Sequence, residues 1–363
     1  MTDVFGIHTV EGLDMDKLRQ TIEAIRPLDE AAMKETERRL GRLTKPPGSL
    51  GRLESLAVQL AGIAGATVDR PPRKAVVVMA ADHGVCEEGV SAFPQEVTGQ
   101  MVLNFLAGGA AINVLARQAG AEVVCVDIGV KSEVAHESLL VRKVRAGTAN
   151  LARGAAMTRD EAARAVEVGI GLAEELAARG IGLLATGEMG IGNTTPSAAM
   201  LAVFGELDPA EAVGRGTGLD DEGLRRKYET VKRAIETNRP NRDDVLDVIA
   251  KVGGLEIAGL AGLILGAAAR GVPVVIDGFI STVAAIAAVR FAPIAREYLI
   301  PSHLSEERGH RLALRELGLE PMLNLEMRLG EGTGAALAFP VIDAACNVLS
   351  QMATFDSAGI SEG

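Results

Sequence analysis

The chain has no tryptophan, and aromatic residues make up only 3% of its 363 positions. Ala, Val, Leu and Ile must therefore fill the core, and a hydrophobic content of 48% is ample for that. Cysteine is scarce too. Cys86, Cys125 and Cys346 are far apart and odd in number, and no Cys-x-x-Cys pair exists. That excludes a disulfide framework and a zinc site of the usual spacing, and it points to a reducing compartment. The first 20 residues lack a basic start and an apolar signal core, so a cytoplasmic location is expected. The longest apolar stretch, around 257–269, is interrupted by Gly259, Gly262 and Gly266. It is too short for a bilayer span and reads as a buried helix. A net charge of −11 with no basic stripe argues against a nucleic-acid partner.

Several catalytic signatures are also missing. There is no Gly-x-Ser-x-Gly elbow, no Walker loop ending in Lys-Ser/Thr, and no GxGxxG opening a helix after the first strand. Asp82 and His83 are adjacent, but no further ligands stand at metal-binding spacing. They read as a capping Asp and a hydrogen-bonded His, and His310 reads as a surface residue. No metal or other cofactor is expected.

What is present is a set of short apolar runs at α/β spacing. Residues 74–81, 122–128, 181–186 and 272–277 read as buried strands, with 298–300 as a fifth. Continuous β-branched runs suit parallel strands covered on both faces. Helical stretches lie between them: Thr158 and Glu161 form a capping-box pattern for a helix to about 179, and another helix spans 221–238. The expected fold is α/β, a doubly wound and mainly parallel sheet of Rossmann-like type. The polar, helix-prone segment 15–43 ends at Pro46, Pro47 and Gly48, after which Ser49 could cap a new helix. The expected domains are a small helical one, from 1–70 with 335–363, and a large α/β one over 71–334.

In such sheets ligands bind beyond the carboxyl ends of the strands. Two glycine-flanked acids fall there: Glu331 in Leu329-Gly330-Glu331-Gly332, and Glu188 in Gly187-Glu188-Met189-Gly190. Flanking glycines let backbone approach closely, and partial desolvation raises a carboxyl pKa toward proton-transfer duty. The run Gly190-Ile191-Gly192-Asn193-Thr194-Thr195-Pro196 offers N–H groups and side-chain donors to an anion, at a helix start marked by Pro196. Taken alone it could equally be a strand-to-helix turn capped by Asn193 or Thr195. A second glycine loop, 214–218, precedes Lys227. A lone helical Lys is usually solvated, but two glycine loops nearby favour a phosphate role. The loop typical of diphosphate-donor phosphoribosyltransferases, two acids leading into Thr-Gly-Gly-Thr, is absent, so any phosphoribosyl transfer would use another donor.

Seven segments carry a resemblance: KPPGSLGRLE (45–54), ADHGV (81–85), GEMGIGNTTP (187–196), KVGG (251–254), DGF (277–279), PSH (301–303) and MRLGEGTGAALA (327–338). In this order they resemble the nicotinate-nucleotide–dimethylbenzimidazole phosphoribosyltransferase family of cobalamin lower-ligand synthesis. The resemblance implies a metal-free homodimer that moves ribose phosphate, with inversion, from nicotinate mononucleotide to a benzimidazole nitrogen, giving α-ribazole phosphate. It makes Glu331 the general base and Glu188 a second active-site acid, which orients the base or stabilises charge on the ribose. Gly190, Gly192, Asn193, Thr194, Thr195, Gly216, Lys227 and Ser305 would bind the nucleotide. Leu329 would pack on the incoming base, beside Phe93 and Met101, which replace small polar side chains of some relatives. Phe93 and Met101 could also be plain core. Rival readings are a nucleoside hydrolase or phosphorylase, and a non-catalytic nucleotide-binding regulator.

Overall fold

A computed structural model describes residues 16–361. Six parallel strands form its centre: β1 (Lys74–Ala81), β2 (Ala121–Gly129), β3 (Leu140–Val141), β4 (Leu183–Met189), β5 (Val274–Ile276) and β6 (Leu299–Pro301). Their order across the sheet is β3-β2-β1-β4-β5-β6. The chain thus winds outward from β1 on one side, returns to pair β4 with β1, and winds outward on the other. This is the Rossmann strand order, with its topological switch between β1 and β4. A small parallel pair, β7 (His303–Leu304) and β8 (Leu323–Asn324), lies beyond it.

The all-apolar pattern of β1 follows from burial on both faces. Ala75, Val77, Met79 and Ala81 enter one core, and Val76, Val78 and Ala80 the other. Alternation of side chains makes this division automatic. The first core lies under the helices Arg159–Ala178, Leu255–Ala269 and Phe279–Phe291. The second lies under Arg52–Ala64, Ala111–Gln118 and Thr333–Gln351. With so few aromatics, close helix approach replaces bulk. Gly169 of Arg159–Ala178 faces the Gly259 carbonyl, and Gly262 faces the Val166 carbonyl, so closely that a Cβ at either glycine would collide with backbone. Two stretches, Val97–Gln118 and Thr333–Gln351, have the length and hydropathy of a membrane span. The first is two helices separated near Gly108 and Gly109, and the second carries Ile342, Cys346 and Leu349 into the core.

Most expected elements form as read. Thr158 and Glu161 close a reciprocal capping box, and the Asp221–Asn238 helix has the anticipated bounds. The 15–43 segment forms two helices, Asp16–Ala24 and Glu30–Gly41, separated around Pro27; Met15 lies outside the described residues, as do the rest of 1–15 and residues 362–363. Helices Glu30–Gly41 and Arg52–Ala64 pack together, and Arg52–Ala64 meets Thr333–Gln351. Asp16–Ala24 instead lies against Arg159–Ala178 and Leu255–Ala269.

Four details differ from expectation. Ser49 does not cap the next helix, because Gly48 and Gly51 turn the chain with positive φ and the Glu54 carboxylate accepts from the Leu50 N–H instead. β4 runs past Thr186 to Met189, since its ladder with β1 continues to Ala80 opposite Met189. Glu188 is therefore a strand residue. Asp82 caps no helix; its Oδ2 accepts from the Lys131 N–H at 2.7 Å. His310 is buried, because its Nδ1 accepts from the Ser305 N–H (2.8 Å) and its Nε2 pairs with the Thr282 hydroxyl (2.9 Å).

Replacing Gly169 with Val should force the two glycine-faced helices apart. Overpacking of this kind costs about 1–3 kcal/mol or more, so thermal unfolding of Gly169→Val should shift well below wild type. Gly154→Ala, at a half-buried loop position where an added Cβ would meet nothing, should not show that shift.

Candidate active site

The switch point places the carboxyl ends of β1 and β4 side by side, and a cavity of ≈ 410 Å³ opens above them. A larger hollow of ≈ 1000 Å³ lies against the Glu30–Gly41 and Arg52–Ala64 helices, away from these strand ends. The smaller cavity holds the two glycine-flanked acids.

Glu331 reaches it through an unusual turn. Gly330, Glu331 and Gly332 all have positive φ, at 85°, 63° and 89°. Glycine accepts this readily, whereas for Glu331 it stores strain of the order of 1 kcal/mol. The turn is pinned from two sides. Asp277, just past β5, accepts from the Gly332 N–H (3.1 Å) and the Ala335 N–H (3.0 Å), which also caps the Thr333–Gln351 helix where no cap side chain exists. Across from it, the Glu331 carbonyl lies on Gly187, where a Cβ would sit 2.6 Å from that oxygen. The Glu331 carboxylate is 6% exposed and accepts weakly from the Ile112 N–H at 3.4 Å. Burial raises its pKa, which the Ile112 N–H opposes and the Asp277 charge reinforces.

Glu188, near the end of β4, is buried beside Gly330, whose missing side chain leaves room for its Oε1. Its Oε2 accepts from the Asn193 amide. Burial pushes its carboxyl up to about 8; the Asn193 hydrogen bond works against this, and the Asp277 and Glu256 charges add to it. Glu256 is itself buried in the first turn of Leu255–Ala269 and pairs with His83 Nε2 at 2.7 Å. This pair forms the floor beneath Gly190, whose added Cβ would lie 2.9 Å from the imidazole.

The anion cradle begins where β4 ends. Gly190, Gly192, Asn193 and Thr194 line the cavity and lead into the helix Thr194–Gly205. Asn193 occupies the cap position, but its side chain is committed to Glu188 rather than to the helix. At that helix start the Asn193 and Thr195 N–H groups donate to the Gly190 and Gly192 carbonyls and Pro196 has none, so the Thr194 N–H and the helix dipole are what favour an anion. Lys227 is fully buried and lies behind the lining, donating to Thr194 Oγ1 (2.6 Å) and to the Gly214 carbonyl (3.1 Å). Burial lowers its pKa to about 8, partly offset by Glu307. Gly216 approaches it closely, with a Cβ there falling 3.0 Å from Nζ. Ser305 lines the cavity too.

Phe93, Met101 and Leu329 also line the cavity, and Phe93 and Leu329 are more than half exposed. Phe93 is therefore not core, while Met101 is half-buried and also rests on the second core. Thr195 and Lys227 are the two expected residues that do not line the cavity: Lys227 stands behind it, while the Thr195 side chain is fully buried and its N–H donates to the Gly192 carbonyl. The reading of the sequence missed Asp277 as a ligand of the Glu331 turn, and it missed Glu307 and Arg328 in the cavity wall. DGF marked the first as a strand end. Glu307 stands in a charged run, Glu306-Glu307-Arg308, which carries no local sign of burial. No group of three His, Cys, Asp or Glu able to hold a metal occurs among the described residues.

A Rossmann-ordered sheet with a glycine-rich helix start and two desolvated acids at its switch point suits a nucleotide-dependent group transfer. A family model described as phosphoribosyltransferase matches residues 25–360. The chain is 54% identical over 351 residues to a nicotinate-nucleotide–dimethylbenzimidazole phosphoribosyltransferase of Desulforamulus reducens, covering 96% of this chain and 100% of that one. It is 57% identical over 349 residues to the protein of the same name from Chloroflexus aggregans (96% and 99% covered). A crystal structure of CobT from Thermus thermophilus superposes with a TM-score of 0.88 at 50% identity, covering 92% of this chain and 100% of that one. The class is therefore a phosphoribosyltransferase. Within that class, the chain belongs to the nicotinate-nucleotide–dimethylbenzimidazole phosphoribosyltransferase family.

The Glu188 environment has a thermodynamic signature. An acid that keeps its proton up to about 8 when folded, but releases it near its ordinary value when unfolded, makes the protein less stable as pH rises between those limits. Glu188→Gln removes that linkage. Relative to wild type, the variant should gain stability progressively from about pH 4.5 to about pH 8 and gain nothing below, as read by denaturant unfolding across that range.

Proposed function

We propose that the protein transfers the phosphoribosyl group of nicotinate mononucleotide to dimethylbenzimidazole, giving α-ribazole phosphate and nicotinate. The observation that carries this is the pairing of a buried anion cradle with two desolvated carboxyls on one cavity, in a chain more than half identical to enzymes of that name. The geometry of the cavity and the resemblance of its segments support the following roles. The donor phosphate rests on Gly190–Thr194 and Gly216, with Lys227 supplying positive charge from behind and Ser305 facing the nucleotide. Thr195, buried and with its N–H donating to the Gly192 carbonyl, serves only to hold that turn. The acceptor ring lies between Phe93, Met101 and Leu329, an apolar slot suited to a flat heterocycle.

In the reaction, one ring nitrogen of the benzimidazole gives its lone pair to the anomeric carbon. The bond from that carbon to the pyridinium nitrogen breaks, its electrons neutralising the nicotinate ring, so the leaving group needs no acid. The proton on the acceptor's other nitrogen passes to Glu331. Burial raises the pKa of Glu331 and so strengthens its carboxylate as a base; two acids in different environments divide into distinct roles. Glu188 is neutral at pH 7 in the empty site. The cationic donor favours its ionised form, which then faces the positive charge that builds on the ribose. Placement of donor and acceptor supplies much of the remaining rate.

We further propose a homodimer, supported by the exposed apolar side chains of Phe93, Leu103 and Leu329 on the segments around the cavity, and a cytoplasmic location, supported by the biosynthetic role of the named relatives. Segments 1–70 and 335–363 are proposed as a small helical domain beside the α/β domain of 71–334, on the packing of Arg52–Ala64 with Thr333–Gln351. Asp16–Ala24 lies against Arg159–Ala178 and Leu255–Ala269, and Arg52–Ala64 and Thr333–Gln351 also cover one face of the sheet.

Incubation with nicotinate mononucleotide and a panel of aromatic bases, with products read by mass, tests the reaction. Nicotinate released equally without any base would mean that water is the acceptor and the transfer reading is wrong. Glu331→Gln should bind donor normally and lose about 100-fold or more in turnover; a wild-type rate would remove Glu331 as the base. Lys227 is charged below about pH 8. Donor KM should therefore rise above that pH in wild type, and should be high and pH-independent there in Lys227→Ala.

A further inference from the structure

Two parts of the cavity wall are joined behind its surface by one histidine. His310 opens the helix His310–Leu317 and is fully buried. Its Nδ1 accepts from the Ser305 N–H (2.8 Å), so its proton sits on Nε2. That Nε2–H donates to the Thr282 hydroxyl at 2.9 Å, and the hydroxyl in turn donates to the Gly278 carbonyl at 2.8 Å. Every hydrogen in this relay has an acceptor, and only one tautomer satisfies it. Burial, with the His303 charge adding to it, lowers the His310 pKa to about 3, so the neutral ring persists at neutral pH. Both ends of the relay, Ser305 and Gly278, line the cavity. They stand close, since a Cβ at Gly278 would lie 3.7 Å from Ser305 Cβ. Gly278 follows Asp277, whose carboxylate holds the Gly332 and Ala335 N–H groups beside Glu331.

Ser305 has little freedom beyond this. Its N–H is taken by His310, and its Oγ accepts from the Glu307 N–H at 3.3 Å. The hydroxyl hydrogen is the donor it keeps for a ligand. We propose that His310 is a positioning residue for the donor nucleotide: by tethering Ser305 to Gly278 it fixes the Ser305 hydroxyl relative to the Glu331 turn. An oxygen of the nucleotide accepts from that hydroxyl, and His310 itself touches no substrate. Donor and acceptor are served by different loops, so the tether sets how they are held against each other. A displacement at one carbon is sensitive to such placement. The inference rests on the assignment of Ser305 to the nucleotide proposed above.

The test is a double-mutant cycle on the binding of nicotinate mononucleotide, read by calorimetry without acceptor, with transfer to dimethylbenzimidazole followed in parallel. Asn carries its Oδ1 as many bonds from Cβ as Nδ1 stands in His, and Gln its amide nitrogen as many as Nε2. His310→Asn therefore keeps an acceptor for the Ser305 N–H, whereas His310→Gln keeps only the reach to Thr282. His310→Gln should weaken donor binding by about 10-fold, the worth of the Ser305 hydrogen bond it misplaces, and His310→Asn should stay within about threefold of wild type. The KM for dimethylbenzimidazole at saturating donor should be unchanged in both. Ser305→Ala should weaken donor binding as well, and adding His310→Gln to it should weaken binding no further, because the tethered hydroxyl is already gone. Full additivity of the two, or an equal rise in the KM for dimethylbenzimidazole in His310→Gln, makes His310 a packing residue and overturns the proposal, as does wild-type donor binding in Ser305→Ala. Should His310→Gln not fold, Thr282→Val cuts the other end of the tether and takes its place in the cycle, with additivity again the overturning result. Coupled losses in binding, with no transfer by wild type, would refute the proposed reaction and leave the tether standing, so the two failures are separable.

Discussion

The site depends on Asp277. Its two carboxylate oxygens take the Gly332 and Ala335 N–H groups, one each, and so join the end of β5 to the start of the Thr333–Gln351 helix. That pair of hydrogen bonds fixes a turn in which a non-glycine residue, Glu331, is held left-handed. The helix following the turn is anchored in the second core by Ala336, Ala338, Phe339 and Ile342. The strain at Glu331 is thus maintained by burial elsewhere, as expected where a rare backbone conformation sits at a functional position.

The same arrangement sets the electrostatics. Glu188, Asp277, Glu256 and Glu331 are all buried around one strand end. Desolvation, reinforced by their mutual repulsion, raises the pKa of Glu188 to about 8 and moves that of Glu331 upward. An isolated site of this kind would be costly. It suits a ligand that brings a positive ring and leaves without it. Elsewhere a buried cation stands behind the wall: Lys227 has Thr194, the Gly214 carbonyl and Glu307 around it. Buried acids therefore gather at the end of β4, and a buried lysine stands behind the glycine loops.

Much of the frame was legible in the chain. Runs such as 74–81 are apolar at nearly every position, which only a doubly covered parallel strand requires. The capping box at Thr158 and the helix from Asp221 are local signals, and both formed as read. Where a partner decides, local reading failed. β4 continues to Met189 because β1 is there to pair with it. His310 is inside because Ser305 and Thr282 bond both its nitrogens, although charged residues stand near it in sequence. Lys227 looks like any solvated helical lysine until the glycine loops fold over it.

By itself the sequence determined five strands of the main sheet, though not β3, β7 or β8, the helices marked by caps and periodicity, the glycine positions where backbone must pass close, and the two acids marked by those glycines. These are properties of neighbours in the chain: periodicity, propensity and capping. Only the tertiary structure decided the strand order, the approach of Asp277 to the Glu331 turn, the closeness of Glu188 to Gly330, and the bond from His310 to Thr282. Each of these depends on residues far apart in sequence, and a carboxylate's burial and partners, hence its charge and its chemistry, are set by what the fold brings against it.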